Sequence, residues 1–165
     1  MAVQTQPRHD LDMDQDANFR EAPIDRRTLV EGLNHDLAGE YQAILTYLHY
    51  SAKLTGPYRE ELRKLFQAEI PDEQGHAQFL ADKIAVLGGE PTVEPRPVPP
   101  AQHPREMLER VLELEKQAIA DYTERVRQAD SFGDIGLRVE LENQVADETR
   151  HKETVERILI GWDDR

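Results

Sequence analysis

The chain has 165 residues, enough for one domain with a sizeable core. Its 33 acidic residues against 20 Lys and Arg give a formal net charge of −13, a balance that repels nucleic acid and anionic membranes and attracts cations. It has no Cys, which excludes disulfides, iron–sulfur clusters and thiolate chemistry and is compatible with the cytoplasm.

In chain order, residues 1–27 are polar and poor in aliphatics and read as a flexible acidic N-terminal arm. They lack the basic start and apolar run of a signal peptide. No window of the chain approaches 18 apolar residues, so a soluble cytoplasmic protein with no membrane partner is expected. Asp10, Asp12, Asp14 and Glu21 are spaced like a calcium loop. Gln15 stands where such a loop needs Gly, and no helix precedes it, so a solvated arm is the better reading. The arm carries four Arg, no Lys and six acids, which argues against binding of nucleic acid through this tail.

Residues 28–165 read as four helices. Thr28 with Glu31 forms a capping box for the first. Behind it Leu33, Leu37, Ile44, Tyr47 and Leu48 recur at helical spacing to about Lys53, where "LTGP" breaks the pattern. The second helix runs from about Tyr58 to Leu87 and is ended by Gly88-Gly89. Pro71 falls inside it and is expected to kink or break it. Pro104 suits the first turn of the third helix, which carries Leu108, Leu112, Ile119 and Tyr122 and ends at "DSFGD". The fourth runs from about Asp134 to Ile160, before Gly161. No alternating stretch is flanked by hairpin turns, so the fold class is all-α and the helices must bury their apolar faces on each other as a bundle. Helices one and two, and three and four, have short connections and are antiparallel neighbours. Between two and three lies "GGEPTVEPRPVPPAQHP". Extended at about 3.1 Å per residue, roughly fifteen such residues reach about 45 Å. That matches a helix of about 30 residues. The linker can therefore return along the whole bundle as a long crossover, leaving helix three parallel to helix two.

A shift of 75 residues superimposes the chain on itself. Leu33 falls on Leu108, Leu37 on Leu112, Glu40 on Glu115, Ala43 on Ala118, Ile44 on Ile119 and Tyr47 on Tyr122. Further on, Leu62 falls on Leu137, Asp72 on Asp147, Glu73 on Glu148 and His76 on His151. Shared apolar periodicity is ordinary between helices, whereas shared polar residues at core spacing are not. Leu33, Leu37, Glu40, Ile44 and Tyr47 are spaced 4, 3, 4 and 3 apart, so Glu40, and Glu115 by the repeat, lies on an inward stripe where a lone charge is costly. Glu-x-x-His puts Glu73 with His76, and Glu148 with His151, on one helical face. A pseudo-two-fold between the hairpins brings all six together. Four carboxylates balance two divalent cations, and mixed carboxylate and imidazole donors suit iron, manganese or zinc better than calcium or magnesium.

One Glu plus one Glu-x-x-His, doubled, resembles the ferritin-like di-iron carboxylate proteins over about residues 29–160, closest to bacterioferritin and Dps-like ferritins. "LNHDLAGEYQAILTYLHY", "DEQGHAQFLADKIAVLGGEP", "MLERVLELEKQAI" and "DETRH" resemble their first to fourth helices. The resemblance implies Glu40 and Glu115 as terminal ligands, Glu73 and Glu148 as bridges, and His76 and His151 as ligands of one metal each. It implies a ferroxidase that oxidises Fe(II) with O2 or H2O2, with two iron ions bound, or manganese or zinc in their place. It also implies a homo-oligomeric cage for iron storage. Gln74 stands where bacterioferritin has its haem-ligating Met, so haem is not expected. Ala118 stands where rubrerythrins have an extra Glu, which disfavours their peroxidase site. Bacterioferritins continue into a fifth helix, whereas this chain stops fourteen residues past His151, which points to a dodecamer or a dimer rather than a 24-subunit cage. The rival readings are a non-storing di-metal oxidase or manganese catalase-like peroxide scavenger, a Dps-like DNA-protecting cage, and a purely structural bundle.

Around these ligands, Tyr47 and Tyr122 either pack in the core or hydrogen-bond the carboxylates. Asp147 is expected beside His76, and Asp72 beside His151, holding the outer imidazole nitrogens. His9, His35, His49 and His103 read as surface residues, and Trp162 as a plug of the bundle end or a subunit contact.

Overall fold

The computed structural model describes residues 24–162. It contains four helices and, among the described residues, no strand: α1 Arg26–Lys53, α2 Arg59–Val86, α3 Pro104–Phe132 and α4 Ile135–Ile160. The first helix starts three residues earlier than the capping box predicts. Asp25 is the N-cap, and its Oδ1 accepts from Thr28 N at 2.7 Å. Thr28 and Glu31 form no box, because the Thr28 N–H that Glu31 would accept is already donated to Asp25; Glu31 instead accepts from Arg27 Nε at 2.7 Å. Arg26 and Arg27 therefore belong to the bundle rather than the arm. The spacing of Asp10, Asp12, Asp14 and Glu21, and His9, lie outside the described residues.

Pro71 does not break α2, which is continuous from Arg59 to Val86. Proline lacks the N–H that would bond to Gln67 O, but both residues are exposed, so water can satisfy the released carbonyl. Gly88, at φ +77°, ends α2, and Gly133, at φ +86°, ends α3; both take the left-handed conformation that a side chain disfavours. Asp134 then caps α4, accepting from Leu137 N at 2.9 Å.

Helix α1 packs on α2 and α3 on α4, and the two hairpins also meet through α1 and α3. The crossover runs along α1 from its first turns to its last. Asn34 bonds Glu90 O and Thr92 N, Arg96 N donates to Ala38 O at 3.0 Å, and Gln42 donates to Pro97 O. Tyr50 then donates to Pro99 O at 2.7 Å and Lys53 to Ala101 O at 2.9 Å. Side chains of α1 thus satisfy carbonyls that a proline-rich extended segment cannot pair for itself. Helix α3 begins at the far end of α1, antiparallel to it and parallel to α2, as the linker length requires.

Two apolar clusters fill the bundle, one built on Leu29, Leu33, Leu37, Leu80, Ile84 and Tyr122, the other on Tyr47, Tyr50, Phe66, Met107, Leu108 and Val111. Leu48 is not part of either and is 56% exposed. Adjacent helical residues point about 100° apart, so turning Tyr47 inward turns Leu48 out. Trp162 closes the bundle end against Tyr58, ring centroids 5.5 Å apart. His35, His49 and His103 are exposed, as expected.

Candidate metal centre

Between the two apolar clusters, the bundle places Glu40 on α1, Glu73 and His76 on α2, Glu115 on α3, and Glu148 and His151 on α4. Their ligand atoms form two groups, Glu40–Glu73–His76–Glu148 and Glu73–Glu115–Glu148–His151, in each of which the atoms lie within 4.8 Å of one another. Glu73 and Glu148 belong to both. His76 Nδ1 lies 2.9 Å from Glu148, 3.5 Å from Glu73 and 3.7 Å from Glu40. His151 Nδ1 lies 3.5 Å from Glu148, 3.7 Å from Glu73 and 3.9 Å from Glu115. The structure therefore brings together all six residues singled out by spacing.

Burial decides what this cluster can do. Glu73 and Glu148 are each 1% exposed, and Glu40 and Glu115 are buried as well. Glu40 Oε2, Glu73 Oε1 and His151 Nδ1 have no hydrogen-bond partner within the chain, and His76 Nδ1 and Glu148 Oε1 have none but each other, at 2.9 Å. Burial raises Glu73 and Glu115 well above the usual carboxylate range, and the neighbouring Glu148 raises Glu115 further. Burial alone would lower His76, but Glu148, Glu40 and Glu73 carry it up to about 12; Glu148 and Glu69 similarly carry His151 up to about 11. Glu148, against the pull of burial, is held down to about 2 by His151 and His76. Orphaned buried oxygens and nitrogens converging at ligand spacing fit a pair of cations, which would satisfy them together. Their mix of carboxylate and imidazole fits a transition metal or zinc.

The surrounding groups are arranged across the hairpins. Tyr47, on α1, donates to Glu115 on α3, and Tyr122, on α3, donates to Glu40 on α1. Both tyrosines are thus core residues and carboxylate partners at once. The outer nitrogen of His76 lies 3.5 Å from Asp147, and that of His151 3.8 Å from Asp72, the crossed pairing expected from the repeat. Spacing missed Glu69, whose carboxylate lies closer to His151 Nε2, at 2.9 Å. The signal was present, since Glu69 is one turn before Glu73, but its repeat partner is Gln144, so the repeat hides it. The same asymmetry recurs outside, where Arg150 pairs with Asp147 and its repeat position on α2 is Gly75.

Fold and site define a four-helix bundle that carries a buried carboxylate–histidine cluster suited to two metal ions. The model of the ferritin-like domain matches residues 30–161, and the chain belongs to that family. It is similar to a structure of ferritin-like, diiron-carboxylate proteins from Bacillus anthracis, at 48% identity and TM-score 0.80, covering 81% of this chain and 96% of that one. A dodecameric thioferritin, the bacterioferritin-related protein of Bacteroides fragilis, shares the fold at 23% identity and TM-score 0.77, over 84% of this chain and 88% of its own. Dps from Thermosynechococcus elongatus does so at 20% identity and TM-score 0.77, over 81% and 91%. No helix among the described residues is long and apolar enough to cross a membrane.

Proposed function

We propose that the protein is a ferroxidase whose substrate is Fe(II), bound as a pair and oxidised by O2 or H2O2, with the ferric product stored in an oligomeric shell. The observation that carries this reading is the sharing of Glu73 and Glu148 by two otherwise separate donor groups. A carboxylate reaching both positions holds two ions close enough to deliver electrons together. Two ferrous ions release two electrons; dioxygen takes them with two protons to give hydrogen peroxide, or hydrogen peroxide takes them with two protons to give two waters. In this reading Glu40 and Glu115 are terminal ligands, and His76 and His151 each hold one ion. Tyr47 and Tyr122 orient the terminal carboxylates, while Asp147, Asp72 and Glu69 orient the imidazoles. The resemblance to diiron-carboxylate proteins supports iron over manganese or zinc.

Stopped-flow absorbance after mixing the metal-free protein with Fe(II) and O2 tests the reading. Glu73→Ala and Glu148→Ala are each expected to abolish the fast phase of oxidation, because either change leaves the ions without one shared ligand. Initial rates equal to the parent's in both variants would remove these residues from the site.

A further inference from the structure

The carboxylate cluster can be approached from two opposite faces of the bundle, and the two differ in chemistry. On the α2–α4 face, Asp72, Asp147 and Glu69 ring the outer imidazole nitrogens, and Asp72 is exposed. On the α1–α3 face lies a cavity of about 30 Å³ that runs from the exposed Gln117 inward to Glu40, Glu73, Glu115 and Glu148. Its walls include Gly39 and Ala43, one turn apart on α1, and Ala118 on α3, three small residues that leave the space open. Across it lies Arg96, from the crossover. The Arg96 guanidinium donates to His35 O at 2.7 Å on α1 and to Asp121 at 2.8 Å on α3, and a Cβ added at Gly39 would meet it at 3.2 Å. Its Nε is buried and has no hydrogen-bond partner within the chain.

Size and charge select what can use this cavity. One water needs about 10–15 Å³, so the space holds about two water-sized spheres or one diatomic molecule. A divalent ion carrying its water shell does not fit. It would also have to pass a fixed guanidinium and shed its water against alanine methyl groups, a transfer that costs a bare ion far more than an uncharged molecule. On the α2–α4 face the guanidinium beside the cluster's acids, that of Arg150 on Asp147, is exposed to solvent, and Glu69 and Asp72 line the outer side of His151.

From this contrast we infer that the α1–α3 cavity, roofed by Arg96, is the chamber through which a small uncharged oxidant, dioxygen or hydrogen peroxide, reaches the cluster, while cations arrive from the α2–α4 face. The inference rests on the ferroxidase reading and adds to it a separate route for the second substrate. It assigns Ala43, Ala118 and Arg96 to control of access, with no contact to the metals required of them.

Nitric oxide, an uncharged diatomic that binds ferrous ions without turnover, probes the chamber directly. The parent and the variants are loaded anaerobically with Fe(II), the stoichiometry is titrated, and nitric oxide uptake is followed by stopped-flow absorbance. Oxidation by O2 and by H2O2 is followed in parallel. Ala118→Leu and, on the opposite wall, Ala43→Leu are expected to leave two ions bound per chain and to slow nitric oxide uptake about tenfold or more. The O2 and H2O2 arms show which oxidant shares the route, since only that oxidation slows with nitric oxide uptake. Arg96→Ala, which unroofs the cavity without filling it, is expected to speed uptake. Full metal loading with an unchanged uptake rate in the leucine variants overturns the chamber while leaving the ferroxidase reading intact. If both leucine variants fail to load metal, Arg96→Ala decides, and uptake no faster than the parent's overturns the inference. A parent that binds no Fe(II) overturns the ferroxidase reading and the chamber with it.

Discussion

An imidazole that is to hold a cation must first lose its proton, and a buried carboxyl that is neutral must do the same. In the metal-free cluster His76 is carried up to about 12 and His151 up to about 11, while burial keeps Glu73 and Glu115 well above the usual carboxylate range. At neutral pH His76 and His151 hold protons where a metal would sit, so cations and protons compete for the same lone pairs. Loading with Zn(II) or Co(II) under anaerobic conditions is therefore expected to release protons. Affinity should fall as the pH is lowered from about 8 to about 6. Titration calorimetry in buffers of different ionisation enthalpy measures the number released. Binding that releases none would mean that the ions sit elsewhere. This competition also answers how the buried carboxylates are tolerated without metal, since protons on His76 and His151 offset part of their charge until a cation replaces them.

Among the helices, the repeat explains most of the architecture and its breaks explain the rest. Asp36 and Arg125 form a buried ion pair with contacts of 2.8 and 3.3 Å, and their repeat positions are Val111 and Tyr50, both buried in the apolar cluster at the other end. Gly32 leaves room for the guanidinium, since a Cβ there would lie 1.9 Å from Arg125. Burial, opposed by Arg125, raises Asp36 to about 6. Its folded value is raised, so its contribution to stability is present below its ordinary value of 3.8 and is lost as pH rises through about 6. Removing only the cation, as in Arg125→Met, should cost about 3–5 kcal/mol at neutral pH by leaving a buried charge unpaired. Asp36→Val combined with Arg125→Met should recover most of that loss, because an apolar pair is what the other end of the bundle already uses. Urea denaturation of the three proteins checks this, and a double variant no better than the single one would show that the pair supports the helices in some other way. The four helices, the crossover and the six clustered residues were legible because each rests on local periodicity or on the repeat. The Asp36–Arg125 pair, Glu69 and the Arg96 roof were not. Each joins residues whose repeat partners differ or lie outside the repeat, and nothing local marks which distant group they meet. The cap at Asp25 was misread for a local reason: Asp25 takes the Thr28 N–H that a box with Glu31 would use.

At the scale of the whole molecule, a chain of net charge −13 that leaves apolar side chains in water presents two opposing tendencies. Leu45 and Leu48 on α1 are 40% and 56% exposed, and with Val98, Pro99 and Pro100 of the crossover they line one continuous groove. Like charges keep copies apart at long range, whereas a groove of this kind favours contact once they meet. Storage of ferric product requires that contact to close into a hollow shell, whose acidic inner wall would gather cations. Light scattering is expected to give a mass of at least twelve subunits. Leu48→Glu should lower that mass by placing a charge in the groove, and its effect should weaken as salt screens the repulsion. Metal binding and oxidation should survive in the smaller species, because every proposed ligand comes from one chain. A parent that is a stable dimer would remove storage from the function and leave an oxidase that releases its ferric product. An unchanged mass in Leu48→Glu would place the contacts between copies on another face.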